Sequence, residues 1–427
     1  MARQRRRDGE GRKEMSVIVI EDPGVEQLAP VTTARLAAAI SCGSLRLVDW
    51  LEQLSVPCYG ISRSYLEAIQ ASDFPALRSM HLAAPDSRPQ LIVSARLVPS
   101  KSNWQRLADA MARHHPGAPP IWFQDRGEVV AVVGPQETFD QVQQCGRRYF
   151  QTRISHLPSA RDAQHLEAFA WPHEVILQHM QTLQENLQWR IERGGYQQLK
   201  DGVFVAQGVQ LPEACTIDVA TGPVILEELV QVGPYSLLRG PLHLGRKCRV
   251  LEHASLKDGV AAGHTTKIGG EVEASIIEPY TNKQHHGFLG HSYVGSWVNL
   301  GAGTCTSDLK NTYGLISVDY PAEKVATGMQ FLGCMIGDYS KSAINTSIFT
   351  GKWVGVCSAL YGFVTTNVPS FTNYAKLFGQ VATLPASVMI ATQARMFARR
   401  QVPQRPCDIA LIESLYEATR EERVQVE

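Results

Sequence analysis

The sequence predicts a three-part protein: an α/β domain, a coil of six-residue repeats, and C-terminal helices. Three observations predict it. An aliphatic or small residue returns at every sixth position from Val232 to Ala274, through Leu238, Leu244, Val250, Leu256, Ala262 and Ile268. Strand-like and helix-like segments alternate before residue 155. After Pro369 the pattern becomes helical. An α-helix has about 3.6 residues per turn and cannot produce a step of six. A coil with three flat sides of six residues per turn does, because each side sends one residue inward at the same height.

The elements follow in chain order. Residues 1–14 are basic and polar with no apolar partner, so they read as a disordered tail. No apolar h-region follows them, which argues against a secretory signal. The α/β domain is expected over 15–158. It contains a buried strand at 15–21, a helical stretch over 34–54, a strand at 89–99, a helix at 102–115 and a hairpin at 121–134 turning near Arg126-Gly127. A connecting helix is expected over 159–200, interrupted by Pro172. The hexads occupy 201–370. Their step resumes at Phe288, Val294 and Leu300, and again at Ile336, Ser342, Ile348, Val354 and Leu360. Helices at 384–401 and 407–423 complete a tail over 371–427 and could cap the coil's open end.

Composition narrows the function. Hydrophobic residues make up 44% and charged residues 19%, as in globular proteins. Lysine plus arginine equals aspartate plus glutamate at 41 each, so there is no basic surplus for nucleic acid. No stretch reaches the ~18 apolar residues of a membrane span. Nine scattered cysteines without a CxxC pair predict reduced thiols in a cytoplasm.

An unbroken coil is a rigid rod, and chemistry is expected where loops leave it. The first break, Ile276–His286, delivers His285 and His286; the second spans Thr306–Gln330. Imidazole suits proton abstraction near neutral pH. Asn299 follows His285 by fourteen residues, close enough on a coil for the next turn to bring it near. Adjacent histidines on a loop can also be plain surface residues, and the glycine-rich hexads around them are what favour function.

The string HHGFLGHSYVGSWVNLGAGT resembles the acetyltransferase half of bacterial GlmU-type enzymes, which couple N-acetylation of glucosamine 1-phosphate to uridylylation of the product. The closer resemblance is to the GlmU-like sugar nucleotidyltransferase group. It is carried by EDPGVEQLAP (21–30), GGEV (269–272), NKQHHGFLG (282–290), WVNLGAGTCTSDLKNTYG (297–314) and GDYSKSAINT (337–346). The resemblance implies a nucleotidyltransferase-like N-terminal domain, a left-handed parallel β-helix, and homotrimers with acetyl-CoA lying between neighbouring coils. It implies His285 as general base, with His286 the alternative. It implies Asn299 as a sugar contact and Arg239 as a phosphate contact. Glu273 stands where the family has a substrate lysine, and Phe288 where it has a tyrosine. Lys283, Lys310 or Lys267 would then supply the lost charge, or the acceptor is not a sugar phosphate.

The same resemblance places Arg35 and Gly43 in a nucleotide-binding segment, PVTTARLAAAISCG (30–43). Ala39 and Ser41 replace its acidic and second arginine positions, and no glycine-rich triphosphate loop is present. Sugar nucleotide or UTP would bind there, with Mg²⁺ required only if that domain is active. The expected activity is acyl-CoA-dependent transfer to an amino sugar or its phosphate. Two alternatives stand beside it. One is a zinc site of carbonic-anhydrase type using His286 and His291 with His253 or His264. The other is a non-catalytic trimeric scaffold that binds sugar nucleotides.

Overall fold

The computed structural model describes residues 16–115, 117–156 and 164–424. The basic tail and the start of the connecting segment, 159–163, lie outside the described residues. The N-terminal domain is built on a seven-stranded sheet: β1 (Val17–Ile20), β2 (Cys58–Ile61), β3 (Leu77–Ser79), β4 (Leu91–Ser94), β5 (Ile121–Asp125), β6 (Glu128–Val133) and β7 (Gln164–His165). The spatial order is β3-β2-β1-β4-β6-β5-β7. Strand β1 runs parallel to β2 and β4, and β6 is antiparallel to β4 and β5. The wholly apolar VIVI of β1 is buried throughout, as a central parallel strand covered on both faces must be. The expected hairpin is β5–β6, with Arg126 and Gly127 both at positive φ in its turn.

The helix expected over 34–54 is only partly formed. Helix α1 is short (Leu47–Leu51), and residues 34–46 are mostly irregular backbone. Side chains from elsewhere satisfy that backbone: Ala37 N donates to Glu21 Oε1 at 2.7 Å, Ser41 N to Glu278 Oε1 at 3.0 Å, and Gly43 N to His179 Nδ1 at 3.0 Å. Tertiary hydrogen bonds therefore replace the helical ones that alanine would otherwise favour. Helices α2 (Glu67–Asp73), α3 (Lys101–Arg113) and α4 (Phe139–Cys145) complete the domain.

Helix α5 (Pro172–Arg193) joins the two halves. Pro172 starts this helix and does not interrupt it, because a missing N–H costs nothing in the first turn. Its buried residues recur at 175/176, 179, 182/183 and 186/187, a stripe at helical spacing. Leu183 and Leu187 on that stripe pack against Ile225 and Ala261 of the coil.

The hexad region is a three-faced parallel coil. Face 1 includes Val224–Leu226, Leu242–Leu244, Val260–Ala262, Ile276–Ile277, Tyr293–Val294, Cys334–Ile336 and Lys352–Val354. Face 2 includes Gln231–Val232, Arg249–Val250, Lys267–Ile268 and Asn282–Lys283. Face 3 includes Thr216–Asp218, Leu237–Arg239, Ser255–Lys257, Glu271–Glu273 and Phe288–Gly290. Val224, Leu242 and Val260 are successive rungs eighteen residues apart, three hexads per turn. The next rungs are shorter: Ala261 pairs Ile276, and Ile276 pairs Tyr293. The uninterrupted ladder expected through Ala274 is thereby corrected. Leu256 stacks on Val272 and then on Leu289, so these are the inward residues, while Ala274 sits on a corner at positive φ.

The second break adds a long excursion, with Tyr293 pairing Met335. It is not a free loop. Its antiparallel hairpin, Ser317–Asp319 with Lys324–Ala326, buries Ile316, Val318 and Tyr320. The Tyr320 ring stacks on Trp171 at 5.1 Å, and its hydroxyl lies 2.9 Å from His173 Nδ1. Past Pro369 a hairpin, Thr372–Ala375 with Gln380–Thr383, precedes helices α6 (Ala386–Arg399) and α7 (Pro406–Ala418). That hairpin pairs with the last face 2 strand and ends the exposed edge.

One buried cluster binds the halves. Arg35 projects from the 34–46 loop into the coil, where Nη1 meets Glu278 Oε1 at 2.8 Å and Nη2 pairs with Asp338. Nη2 also donates to Ser296 Oγ at 3.0 Å, and Glu278 accepts from Tyr293 Oη at 2.9 Å. The carboxylates hold the guanidinium charged against the cost of burial. Arg35→Ala should destabilise the folded chain by ~3–5 kcal/mol, because two buried carboxylates lose their counter-ion. Denaturant unfolding would measure the loss, and limited proteolysis would show cleavage between the halves.

Candidate functional site

The first break forms the corner between faces 2 and 3. His285 and His286 are both exposed there. His285 Nε2 lies 3.5 Å from Gln284 Nε2, and no carboxylate pairs with either imidazole among the described residues. Gly287 has φ +125°, and a Cβ there would lie 2.1 Å from Thr304 O, so the corner requires glycine.

Lys283, expected as a substrate contact, points into the coil. Ile268 stacks on it along the inward column of face 2, and it is 2% exposed. Its ammonium donates to the carbonyls of Gly269 (2.9 Å), His285 (3.2 Å) and Gly287 (2.7 Å), which fixes the corner from inside. Burial lowers its pKa to about 8. Lys310 lies on the second excursion and donates to Leu315 O at 2.7 Å.

Arg239 faces outward on face 3, with Asp218 at 2.9 Å and Asp258 at 3.6 Å. Its charge is thus already matched by two half-exposed carboxylates. Glu273 meets Lys257 at 3.3 Å, and Lys257 also reaches Glu271 at 2.8 Å. Lys257, one rung below Glu273, is a cation of the face 3 column that sequence reasoning missed. Its eighteen-residue offset from Arg239 was the available signal. Asn299 is exposed on face 2, bridged to Asn282 and Lys341, and accepts from Asn282 Nδ2 at 3.4 Å. The corner carrying His285 is the edge that separates Asn299 from the charged column of face 3.

A second imidazole lies at the other end of face 3. His291 follows the strand Phe288–Gly290 at the corner leading to face 1. Its Nδ1 is 2.8 Å from Asp308 Oδ2, and its ring stacks on Phe331 at 5.3 Å. Gly290 leaves room for this pair, because a Cβ there would lie 2.3 Å from Asp308 Oδ2. This pair was not legible in the sequence, since Asp308 and Phe331 belong to the excursion.

The histidines proposed for zinc do not converge. His253 stacks on Tyr235 at the face 2–3 corner, His264 packs edge-on to Tyr280 at the face 1–2 corner, and His291 is bound to Asp308. No group of three His, Cys, Asp or Glu residues suited to a metal occurs among the described residues.

The N-terminal expectations are also revised. Arg35 is committed to Glu278 and Asp338. Gly43 has φ +57° and packs against α5, where a Cβ would lie 2.4 Å from Thr182 Oγ1. Neither is free to hold a nucleotide. At the carboxyl ends of β1, β2 and β4, Glu21 pairs with Arg63 at 3.0 Å and Asp22 with Arg96 at 2.8 Å. Between this domain, the coil and α6–α7 lies a cavity of about 1020 Å³, bordered by Arg46, Arg190, Arg246, His264, Trp297 and Arg405. Among the described residues no helix is long and apolar enough to cross a membrane, and all nine cysteines are free thiols.

Lys283 gives a pH prediction. Its folded pKa of about 8 lies below the ordinary 10.5, so the unfolded chain binds more protons between those values. Stability contributed through Lys283 should therefore rise from about pH 8 to 10.5. Lys341, also lowered to about 8 by burial, adds to the same rise. Lys283→Met should show a flatter rise, read from denaturant midpoints across that range.

Comparison with known proteins fits this architecture. Residues 17–193 match the family model described as sugar nucleotidyl transferase. A Sulfurisphaera tokodaii protein named bifunctional sugar-1-phosphate nucleotidylyltransferase/acetyltransferase is 26% identical over 34% of this chain and 37% of its own length. An Escherichia coli O6:K15:H31 protein named uncharacterized acetyltransferase YaiX is 27% identical over 39% of this chain and 74% of its own length. The bifunctional protein GlmU of a Cyanothece strain is 28% identical over 34% of this chain and 25% of its own length. The chain thus aligns with little more than a third of the first of these relatives and a quarter of the last. A segment matching the sugar nucleotidyl transferase family model is thus joined to a hexapeptide-repeat coil, and the chain is similar to GlmU-like bifunctional proteins.

Proposed function

We propose that the chain is an acyl-CoA-dependent acyltransferase that acetylates an amino sugar at the edge of face 3, the kind of step that leads to UDP-N-acetylglucosamine. The observation that carries this reading is the exposed His285–His286 corner, held from within by buried Lys283 and placed beside the charged column of face 3. In the reaction the amine nitrogen attacks the thioester carbonyl, the C–S bond breaks, and His285 moves the amine proton to the departing thiolate. Acetyl-CoA is the donor substrate. Asn299, on the adjoining face, suits contact with sugar hydroxyls. The unphosphorylated sugar is the favoured acceptor, because Arg239 would have to exchange Asp218 and Asp258 for a phosphate.

Neighbouring copies fit this reading. The upper coil exposes Ile344, Phe349, Tyr361 and Phe363, with Leu377 and Phe378 beyond them. An apolar surface of this kind suits the coil-to-coil packing of a homotrimer. The N-terminal domain serves as a docking partner of the coil. Arg63 and Arg96 occupy the carboxylates Glu21 and Asp22 that a Mg²⁺ ion would need. A cytoplasmic setting agrees with the free thiols.

Thiol release from acetyl-CoA with glucosamine and glucosamine 1-phosphate tests the reading. His285→Ala should lower turnover by about 10²–10⁴-fold while keeping the wild-type melting temperature. His286→Ala should not do so, and the reverse result would move the base to His286. Turnover on the phosphorylated sugar alone would restore Arg239 as its ligand. Phe363→Asp should convert the trimer to monomer in light scattering; a wild-type monomer would remove the trimer.

A further inference from the structure

Face 3 carries an imidazole at each end, and the two differ in kind. His285 is exposed and has no carboxylate. His291 is bound through Nδ1 to Asp308 Oδ2 at 2.8 Å, and its side chain is 18% exposed. A proton on Nδ1, donated to the carboxylate, leaves Nε2 as an acceptor. The ring stacks on Phe331, an apolar side chain that is itself 42% exposed.

The difference matters for the nucleophile. A free amine attacks with a lone pair it already has and loses its proton afterwards. A hydroxyl is a poor nucleophile until its proton is being removed, so it needs a base whose cation is stabilised as it forms. A carboxylate hydrogen-bonded to the far nitrogen provides that stabilisation and fixes the tautomer. The rest of the local sequence serves the pair. Gly290 omits a side chain that would strike Asp308. The excursion delivers Asp308 at its start and Phe331 at its end, and its hairpin is anchored on α5 by Tyr320.

We infer that His291 and Asp308 form a second acyl-transfer centre whose acceptor is a hydroxyl group of a sugar. The inference rests on the reading that the coil transfers acyl groups from acyl-CoA. The hydroxyl oxygen attacks the thioester carbonyl while His291 Nε2 takes its proton. The C–S bond then breaks, and His291 returns the proton to the thiolate, giving an ester and free CoA. Asp308 is the positioning residue and stays ionised. The apolar face of a sugar ring lies on Phe331.

The test uses the full chain, acetyl-CoA and N-acetylglucosamine, whose nitrogen is already acylated, with glucosamine as a parallel acceptor. The expected result is thiol release with N-acetylglucosamine and an acetyl product that hydroxylamine cleaves, as it does an ester and not an amide. His291→Asn should lower kcat for this product by about 10²-fold or more. Asp308→Asn should lower kcat with little change in KM and in melting temperature, which a merely structural ion pair would not do. If His291→Asn fails to fold, Asp308→Asn and Gly290→Ala carry the same expectation. Thiol release with glucosamine but none with N-acetylglucosamine would overturn the inference and leave the acyltransferase reading standing. Ester formation that survives both substitutions would overturn it too. No thiol release with either acceptor would overturn both.

Discussion

The contact on which the arrangement depends is the burial of Arg35 between Glu278 and Asp338. Three charges leave water together, and such a cluster is tolerated only when each has its partners. Glu278 receives Arg35, the Ser41 backbone and hydroxyl, and Tyr293; Asp338 receives Arg35 and the Ser296 amide. The N-terminal loop therefore cannot leave the coil without stranding carboxylates on face 1. Arg35 thus acts as a structural bolt between the halves. The same geometry accounts for irregular backbone in an alanine-rich segment, since Glu278 and Glu21 satisfy its amides directly.

That contact also determines which parts of the coil remain open. Helix α5 and the N-terminal domain cover face 1, with Leu183 and Leu187 against Ile225 and Ala261. Helix α6 covers part of the next corner, where Phe397 packs on Trp297 at 4.3 Å and Arg400 donates to Asn282. Face 3 is left with its charged column and its two flanking imidazoles. The covered sides carry stability and the uncovered side carries reactive groups, which is the division expected of a rigid scaffold.

The hexad step made the coil legible, because an inward residue every sixth position is what the three-faced geometry requires. It misled where turns shorten. Ala274 is small and buried, so it continues the pattern on paper, yet Val272 is the residue stacked between Leu256 and Leu289. Phe288 likewise points outward next to the true core position. The exposed His285–His286 corner follows from the same break that the pattern exposed. Lys283 was misread because an ammonium is ordinarily solvated, and only three-dimensional stacking on Ile268 reveals three carbonyls around it. Arg35 and Gly43 were misread because their partners lie far away in sequence. Pro172 reads as an interruption in the sequence because no helix boundary is visible before it.

The two interruptions of the ladder are best understood as different devices. The first is a deletion: its turns lose residues, the corner tightens, and Lys283 must fill the inward column where an aliphatic side chain would otherwise sit. The tightened corner has little room for side chains inside, so its histidines face outward. The second is an addition, and a long addition to a rod needs an anchor to avoid an ordering cost without return. Tyr320 supplies it through Trp171 and His173. Anchoring the hairpin holds Asp308 and Phe331 against His291, so an excursion that docks on the N-terminal half also orients an imidazole on face 3. Deletion exposes one histidine and addition orients another, and the unbroken coil between them keeps the distance constant.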